Sequence, residues 1–162
     1  MSQVDFVKAI KEALVARAGV GDLLASVTSS RVYLYEAVKG AALPLIIIWP
    51  FERRNEAAAG EYRLTRMEAE VNVYSSFADY DIAASYETGV ELGVKAERAL
   101  ELNARLITAS YASGVIMSGG RIQVETVEPF RAVVPGSAGQ ETLLCKLVVS
   151  GRVILRADAV DP

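Results

Sequence analysis

Residues 65 to 74 alternate between two kinds of side chain, and this alternation constrains the fold more than any other feature of the chain. An apolar or small series alternates with a charged or polar one: Thr65, Met67, Ala69, Val71 and Val73 against Arg66, Glu68, Glu70, Asn72 and Tyr74. Because successive side chains of a β-strand point to opposite faces, the period of two predicts a strand with one face on the core. We expect the other face to be wet or to form an interface.

Two further strands are predicted upstream of this one. The segment Leu45–Trp49 is apolar without alternation, which indicates a strand that is covered, at least in part, on both faces. Pro50 follows it and is expected to end its regular pairing, since proline has no N–H to donate to a ladder. The shorter segment Arg31–Tyr35 is rich in β-forming residues, and Glu36–Leu43 is expected to connect the two strands.

Helical periodicity marks the start of the chain. Residues 2–18 are predicted to form a helix that is capped by Ser2 and stopped by Gly19. Its apolar stripe, at spacings of three and four, consists of Phe6, Val7, Ile10, Ala13 and Leu14. A second short turn or helix is predicted over Val20–Val27.

A longer helix is predicted from the capping residues Ser75–Asp81 to about Leu106. The apolar residues that are spaced for one face of it are Ile82, Tyr86, Val90, Val94, Leu100, Ala104 and Ile107. Gly89 and Gly93 lie beside that face, although each costs about 1 kcal/mol relative to alanine inside a helix. Their presence predicts a close approach of the helix backbone to the sheet.

The C-terminal third returns to β-structure. Strands are predicted at Val115–Met117, Arg121–Val127 and Thr142–Leu155, with a loop at Pro129–Gln140. The tail, from about residue 156 to residue 162, is expected to fray.

A polar segment with an Ala-Gly tip, residues 51–63, separates the apolar strand from the alternating one. It predicts a long hairpin arm or a mobile loop, and the arm as a whole spans about residues 51–66. Together these patterns predict a single α+β domain over residues 1–162. We expect a mixed or antiparallel sheet of about five strands, with two main helices on one face and a protruding hairpin arm.

Composition narrows the range of functions. Hydrophobic residues make up 52% of the chain and charged residues 23%, which is typical of a globular rather than a disordered protein. A formal net charge of −3 argues against nucleic-acid binding as the main source of affinity, because such binding needs clustered Lys and Arg. No apolar stretch approaches the ~20 residues needed to span a bilayer, so no membrane partner is expected.

The residues that most enzymes of this size would use are scarce. The chain has no histidine, which excludes Ser–His and Cys–His nucleophile pairs and His-containing zinc sites. Its single cysteine, Cys145, lies in an apolar run and is expected to be a buried structural thiol rather than a nucleophile. It is compatible with synthesis in a reducing cytosol.

The arginines in and beside the arm form the first candidate site. They are Arg53, Arg54, Arg63 and Arg66, and they could converge if the segment is a hairpin. Two interpretations stay open. The arm is either solvated and salt-bridged through its own glutamates, or it contacts an acidic partner or passing DNA.

Carboxylates form the second candidate site. Glu68 and Glu70 share the polar face of the alternating strand, and Glu125 could add a third carboxylate. A glycosidase-like pair would need one of them in a cleft with a raised pKa, and exposed carboxylates on a sheet face are the simpler interpretation. Asp79, Asp81 and Glu87 could offer oxygen ligands to a hard cation, but their spacing matches no calcium loop. Capping of the long helix is the simpler interpretation of Asp79 and Asp81. No catalytic residue, metal or cofactor is predicted.

The order of these elements resembles one family. Its markers are the strand-like Arg31-Val32-Tyr33, the sequence Ala42-Leu43-Pro44 before the apolar run, and the strand Glu70–Tyr74 that leads into the long helix. Over roughly residues 3–155 the chain is similar to the tail-terminator, or tail-completion, proteins of long-tailed bacteriophages. The resemblance implies two helices packed on one face of a mixed sheet, and no catalytic residues.

The resemblance also implies a function. Members of this family form rings, usually hexamers, that cap the growing tail tube, stop its polymerisation and offer a surface to the head-side neck. The chain would then be a structural virion protein at the head-proximal end of the tail, assembled in the bacterial host cytoplasm. Its expected partners are further copies of itself, the tail tube protein, a neck or head-completion protein, and DNA that passes through the lumen without sequence-specific binding.

In such proteins, segments in the position of the arm and of the Pro129–Gln140 loop tend to face the lumen, the tube or the neck. The candidate interface residues are therefore Arg53, Arg54, Arg63, Arg66, Glu68, Glu70, Arg131 and Gln140. Three alternatives stay open: another head–tail connector or neck protein, an unrelated α+β protein-binding adaptor, and a small histidine-free enzyme.

Overall fold

The computed structural model describes residues 3–15, 31–102, 122–134, 139 and 141–156. Its elements are α1 (Gln3–Val15), β1 (Val32–Leu34), β2 (Leu45–Ala59), β3 (Tyr62–Ser76), α2 (Ile82–Leu102), β4 (Gln123–Thr126), β5 (Phe130–Val133) and β6 (Glu141–Arg156). One sheet has the strand order β1-β2-β3-β6-β4, and β5 also pairs with β6. β1 is parallel to β2 and the other pairs are antiparallel. The predicted α+β fold with a mixed sheet is confirmed, with six strands in the described residues in place of about five.

The alternating strand is the centre of the sheet. β3 pairs with β2 on one side and with β6 on the other, from Tyr62 opposite Arg156 to Ser76 opposite Thr142. Its odd-numbered residues from Thr65 to Val73 are buried, as the period of two predicts. The even-numbered residues from Arg66 to Glu70 are only half-buried, so the two faces of β3 differ in this part of the strand. Asn72 and Tyr74 are buried, so the prediction of a wet or interface face is wrong at these two residues.

The apolar strand is longer than its sequence pattern predicts. Residues 45–48 are buried, which confirms that this part of β2 is covered on both faces. Regular pairing does end at Pro50, because the register shifts between Pro50 and Arg53, but the strand itself continues to Ala59. The reason is that β1 ends opposite Ile48. Beyond that point no strand of the described residues pairs with this side of β2, and a missing N–H is tolerated at such a position.

Both helices pack on one face of the sheet, which we call the inner face. α1 lies against β1 and β2, and α2 lies against β3, β4 and β6. The whole predicted stripe of α1 is buried there. The inner-face side chains of the two central strands, among them Met67, Val71 and Leu147, complete the main core.

The buried face of α2 differs from the predicted one. Ile82, Val90 and Val94 remain about half exposed, whereas Leu100 is buried as predicted. The buried residues of the helix are mostly small: Ser85, Gly89, Leu92, Gly93, Ala96, Ala99 and Leu100. At Gly89 and Gly93 a larger side chain has no room, because the helix backbone lies close to the sheet there.

The two glycines show how close this approach is. A Cβ atom on Gly93 would lie 2.3 Å from Cys145 Sγ, and one on Gly89 would lie 3.3 Å from Ser75 Oγ. The predicted close approach of the helix backbone is therefore confirmed.

The outer face, opposite the helices, carries a smaller apolar cluster at the base of the sheet. Its buried members are Leu45, Ile47, Tyr74, Val134 and Leu144. Residues of the connection between β1 and β2, including Ala37, Ala41 and Leu43, pack against them. This cover explains why β2 and β3 are buried on both faces at this end of the sheet.

Two predicted boundaries are wrong. The loop predicted over Pro129–Gln140 contains the short strand β5, which pairs with β6 from Phe130 opposite Leu144 to Val133 opposite Glu141. The tail does not begin to fray at Arg156, because this residue is still paired with Tyr62.

Several predicted features lie outside the described residues. They are the cap Ser2, Gly19, the short helix Val20–Val27, the long helix beyond Leu102, the strand Val115–Met117, Gln140 and residues 157–162.

Candidate functional site

The arm is a regular three-stranded ribbon and not a mobile loop. β2 and β3 run to a two-residue turn, Gly60 and Glu61, between the paired residues Ala59 and Tyr62. Gly60 has a positive φ of 60°, which suits the first position of a type II′ hairpin turn. The far end of β6 pairs with β3 from Arg66 opposite Arg152 to the tip. We use "arm" for residues 51–66 together with residues 152–156.

The outer edge of the arm is interrupted at two points. The register of β2 against β3 shifts between Pro50 and Arg53 and again between Asn55 and Ala57. Bulges and edge charges both hinder uncontrolled pairing of a free strand edge with another chain. Among the residues that the structure describes, the outer edge of the arm is unpaired and carries features that limit what can pair with it.

The register divides the four arm arginines into two pairs. Arg54 lies opposite Arg66 on the outer face, whereas Arg53 lies opposite the inner-face residue Met67. Arg63 is on the same face of β3 as Met67, since it is separated from it by an even number of residues. The four guanidinium groups therefore do not converge at a single site.

Ion pairs organise the outer face of the arm. They join Arg54 Nη2 to Glu52 Oε1 (2.7 Å), Arg66 Nη2 to Glu68 Oε1 (2.7 Å) and Arg152 Nε to Glu56 Oε2 (2.8 Å). A hollow of about 230 Å³ lies among Glu52, Arg54, Arg66 and Glu68. The hydrogen bond to Glu52 raises the pKa of Arg54. Arg54 and Arg66 thus form ion pairs within one copy, and exposed pairs of this kind usually add little to folding stability. Both interpretations of the arm remain predictions.

The remaining predicted carboxylates do not form a reactive pair. Glu70 accepts from Lys146 Nζ at 3.4 Å. Glu125 lies opposite Val148, which separates it from Glu70 on the other side of β6. Asp81 caps α2 as predicted, because the Ala84 N–H donates to Asp81 Oδ1 at 3.1 Å. Among the described residues no group of three or more Cys, Asp or Glu side chains could hold a metal ion.

Arg131 lies away from the arm. It is on β5, forms an ion pair with Glu141, and places its guanidinium carbon 4.5 Å from the centroid of the Phe77 ring. The hydrogen bond to Glu141 raises the pKa of Arg131. The structure thus brings Arg54, Arg66 and Glu68 together and leaves Arg131 at a separate position.

A groove on the inner face is the feature that the sequence patterns do not predict. It lies between α2 and residues 126–129 and has a volume of about 360 Å³. Tyr86, Val90 and Val94 line it on the helix, and Val127 and Pro129 line it on the other side. The periodicity of apolar residues assigns the helix residues to the core. The small residues of α2, spaced four apart, are the signal that a different face is buried.

The floor and the rim of the groove have different chemistry. The floor includes Cys145, whose Sγ donates to the Val127 carbonyl oxygen at 3.4 Å. Burial, and to a lesser extent the charge of Glu97, raises the pKa of this thiol, and Cys145 is buried as predicted. The rim is acidic, since Glu128 lines it and Glu97 accepts from the Thr126 hydroxyl at 2.6 Å.

No protein-family model matches the chain, and a search of curated proteins found no match.

In the part of the chain that the structure describes, neither helix is long and apolar enough to cross a membrane.

Proposed function

We propose that this chain is a subunit of a ring that caps the tail tube of a long-tailed bacteriophage, ends tube polymerisation and offers a surface for attachment of the head-side neck. The observation that carries the proposal is the arm, a three-stranded ribbon whose β2 strand is exposed along most of its length. The order of elements and the resemblance to tail-terminator proteins supply the rest of the support.

The physical argument begins with the exposed surfaces of one copy. The described residues leave one strand edge of the arm unpaired and an apolar groove exposed, and both are liabilities for a protein that stays alone in solution. They lie on different parts of the molecule, so contacts between them are heterologous, and heterologous contacts can close into a ring when the rotation permits. A ring of this kind ends its own growth, as a cap on a tube must do.

Native mass spectrometry and negative-stain electron microscopy test the proposal directly. The purified chain, alone or mixed with the tail tube protein of the same phage, is expected to form one discrete ring with a lumen wide enough for duplex DNA. The ring is expected at the ends of reconstituted tubes. A strict monomer under both conditions overturns the proposal, and rings that never bind tube ends favour another connector or neck protein.

A further inference from the structure

We propose that the tip of the arm of one copy docks in the α2 groove of the next copy, with Tyr62 as its anchor and with the acidic rim of the groove facing the arginines of the arm. This inference rests on the proposed ring, because it names the contact that joins neighbouring copies. It depends on four observations: the chemistry of the groove, the chemistry of the tip, their opposite charges and the distance between them.

The groove offers an apolar site that is open to solvent. Val90 and Val94 are each 45% exposed on the surface of α2, and Val127 is 41% exposed on the other side. Each Å² of apolar surface that is removed from water stabilises a complex by roughly 25 cal/mol. The groove therefore favours an occupant with an apolar surface.

The tip of the arm offers a slim apolar insert. Tyr62 is 48% exposed and lies opposite Ala59, and the preceding residues Ala57 and Ala58 are also small. Tyrosine has a broad apolar ring and a polar hydroxyl, and it is enriched among the residues that anchor interfaces. The ring suits the valines of the groove, and the hydroxyl suits a carboxylate acceptor on the rim.

The two surfaces have opposite charge. Residues 51–66 and 152–156 contain six arginines and three glutamates, which gives the arm a formal charge of +3. Residues 82–102 and 122–134, the segments that contain the two sides of the groove, have six glutamates and three basic residues and thus a formal charge of −3. Complementary surfaces of this kind steer association and fix its orientation, so the groove of this same chain is a suitable partner for the arm.

The arm cannot reach its own groove. The floor residue Cys145 lies opposite Val73 in the register of β6 against β3. Tyr62 is eleven residues from Val73 along the same strand, which is about 36 Å at the usual rise per residue. Because β3 is paired on both sides over this length, it cannot bend back, and the contact must join two copies.

Cysteine cross-linking tests this contact. In a Cys145→Ser background, one preparation carries Tyr62→Cys and a second carries Val90→Cys. On oxidation, the mixture is expected to give a disulfide-linked dimer that neither preparation gives alone. A chain with both substitutions is expected to give a ladder that ends at the size of the ring. The matched control replaces Val90→Cys with Val4→Cys, since Val4 is a 43% exposed valine on the other helix.

A groove substitution in the otherwise unchanged chain gives a second test that does not depend on disulfide geometry. Val90→Glu is expected to weaken self-association at least tenfold, because it places a charge in an apolar site with an acidic rim. Val4→Glu is expected to leave it unchanged. Sedimentation velocity over a concentration series measures both.

The outcomes separate this inference from the proposed ring. If a ring forms but the Tyr62–Val90 cross-link does not, the proposed arm-to-groove contact is wrong and the proposed ring still stands. The same conclusion follows if Val4→Glu weakens the ring as much as Val90→Glu does. Equal cross-linking of the Tyr62→Cys preparation alone shows that arms meet arms and overturns it as well. A strict monomer overturns both proposals.

Discussion

At the scale of single residues, Gly93 is a position where α2 lies too close to the sheet for any side chain. Its hydrogen atom occupies a place where a methyl group would lie 2.3 Å from Cys145 Sγ and 3.2 Å from Cys145 Cβ. The contact between Gly93 and Cys145 therefore determines how near α2 lies to β6. It also determines which residues of α2 remain exposed to form the groove.

Gly93→Ala is expected to destabilise the fold even though alanine is the better helix former. The gain in helix propensity is about 1 kcal/mol, whereas an overpacked core contact typically costs about 1–3 kcal/mol. We expect a net loss, because the methyl group meets both side-chain atoms of Cys145 and the helix must move. Urea unfolding at equilibrium measures the change.

Two variants control for this interpretation. Gly89→Ala places its Cβ 3.3 Å from Ser75 Oγ, and this hydroxyl can rotate away, so the variant is expected to be nearly neutral or stabilising. Adding Cys145→Ala to Gly93→Ala removes the sulfur atom, so the double variant is expected to lose less than the sum of the single losses. A Gly93→Ala protein more stable than the parent would contradict the packing that the structure shows.

At the scale of elements, the arm is a separable part of the sheet. Ala58, Ala59, Tyr62 and Arg63 are exposed, and they form the last two residue pairs before the turn. Deleting these four residues and retaining Gly60 and Glu61 as the turn removes two pairs without changing the face of any other side chain.

This symmetric deletion is expected to leave the fold intact and to abolish self-association. Exposed residues at the end of a ribbon contribute little to the core, so the melting temperature should change by less than about 4 °C. Circular dichroism and sedimentation velocity measure the two properties on the same sample. Loss of the folded state would show that the tip is part of the core, and an intact ring would show that the tip is not part of the contact.

The elements that the sequence predicts well are those in which the apolar residues face the core and the polar residues face away from it. Along β3 the period of two matches the buried face, and along α1 the spacing of three and four matches it too. In both, each apolar side chain has room to reach the core. In such an element the local sequence pattern is sufficient to predict which face is buried.

The elements that the sequence predicts poorly depend on a neighbour that no local pattern describes. The close approach at Gly93 turns the face of α2 with the larger apolar residues away from the sheet, so Val90 lines a groove and not the core. β5 is only four residues long and exists because β6 offers it a partner. The groove combines both effects, since its two sides come from segments far apart in the chain.

At the scale of the whole molecule, the net charge of −3 is the sum of regions with opposite charge. The arm has a formal charge of +3, and the two segments that contain the sides of the groove together have −3. The average charge of the chain therefore says little about how two copies meet. The division of charge predicts that association depends on ionic strength.

Raising the NaCl concentration from about 0.1 M to about 1 M shortens the Debye length from about 10 Å to about 3 Å. We expect a several-fold weaker self-association, mainly through a slower association rate, because charge complementarity acts chiefly on encounter. Stopped-flow light scattering measures the rate. Arg63→Gln should reduce the salt dependence, and association that salt leaves unchanged or strengthens would contradict the role of charge.

The pairing of β3 with β6 also determines when the arm can exist. The paired residues are separated in sequence by 66 positions at Ser76 and Thr142 and by 94 positions at Tyr62 and Arg156. A ribosome that adds about 5–20 residues per second delivers the third strand of the arm roughly 3–20 s after the second. Closing so long a loop is also entropically costly, which slows this step further. During synthesis, then, the arm becomes a three-stranded ribbon only after nearly the whole sheet has been made, so the order of the strands delays any contact that needs a rigid arm.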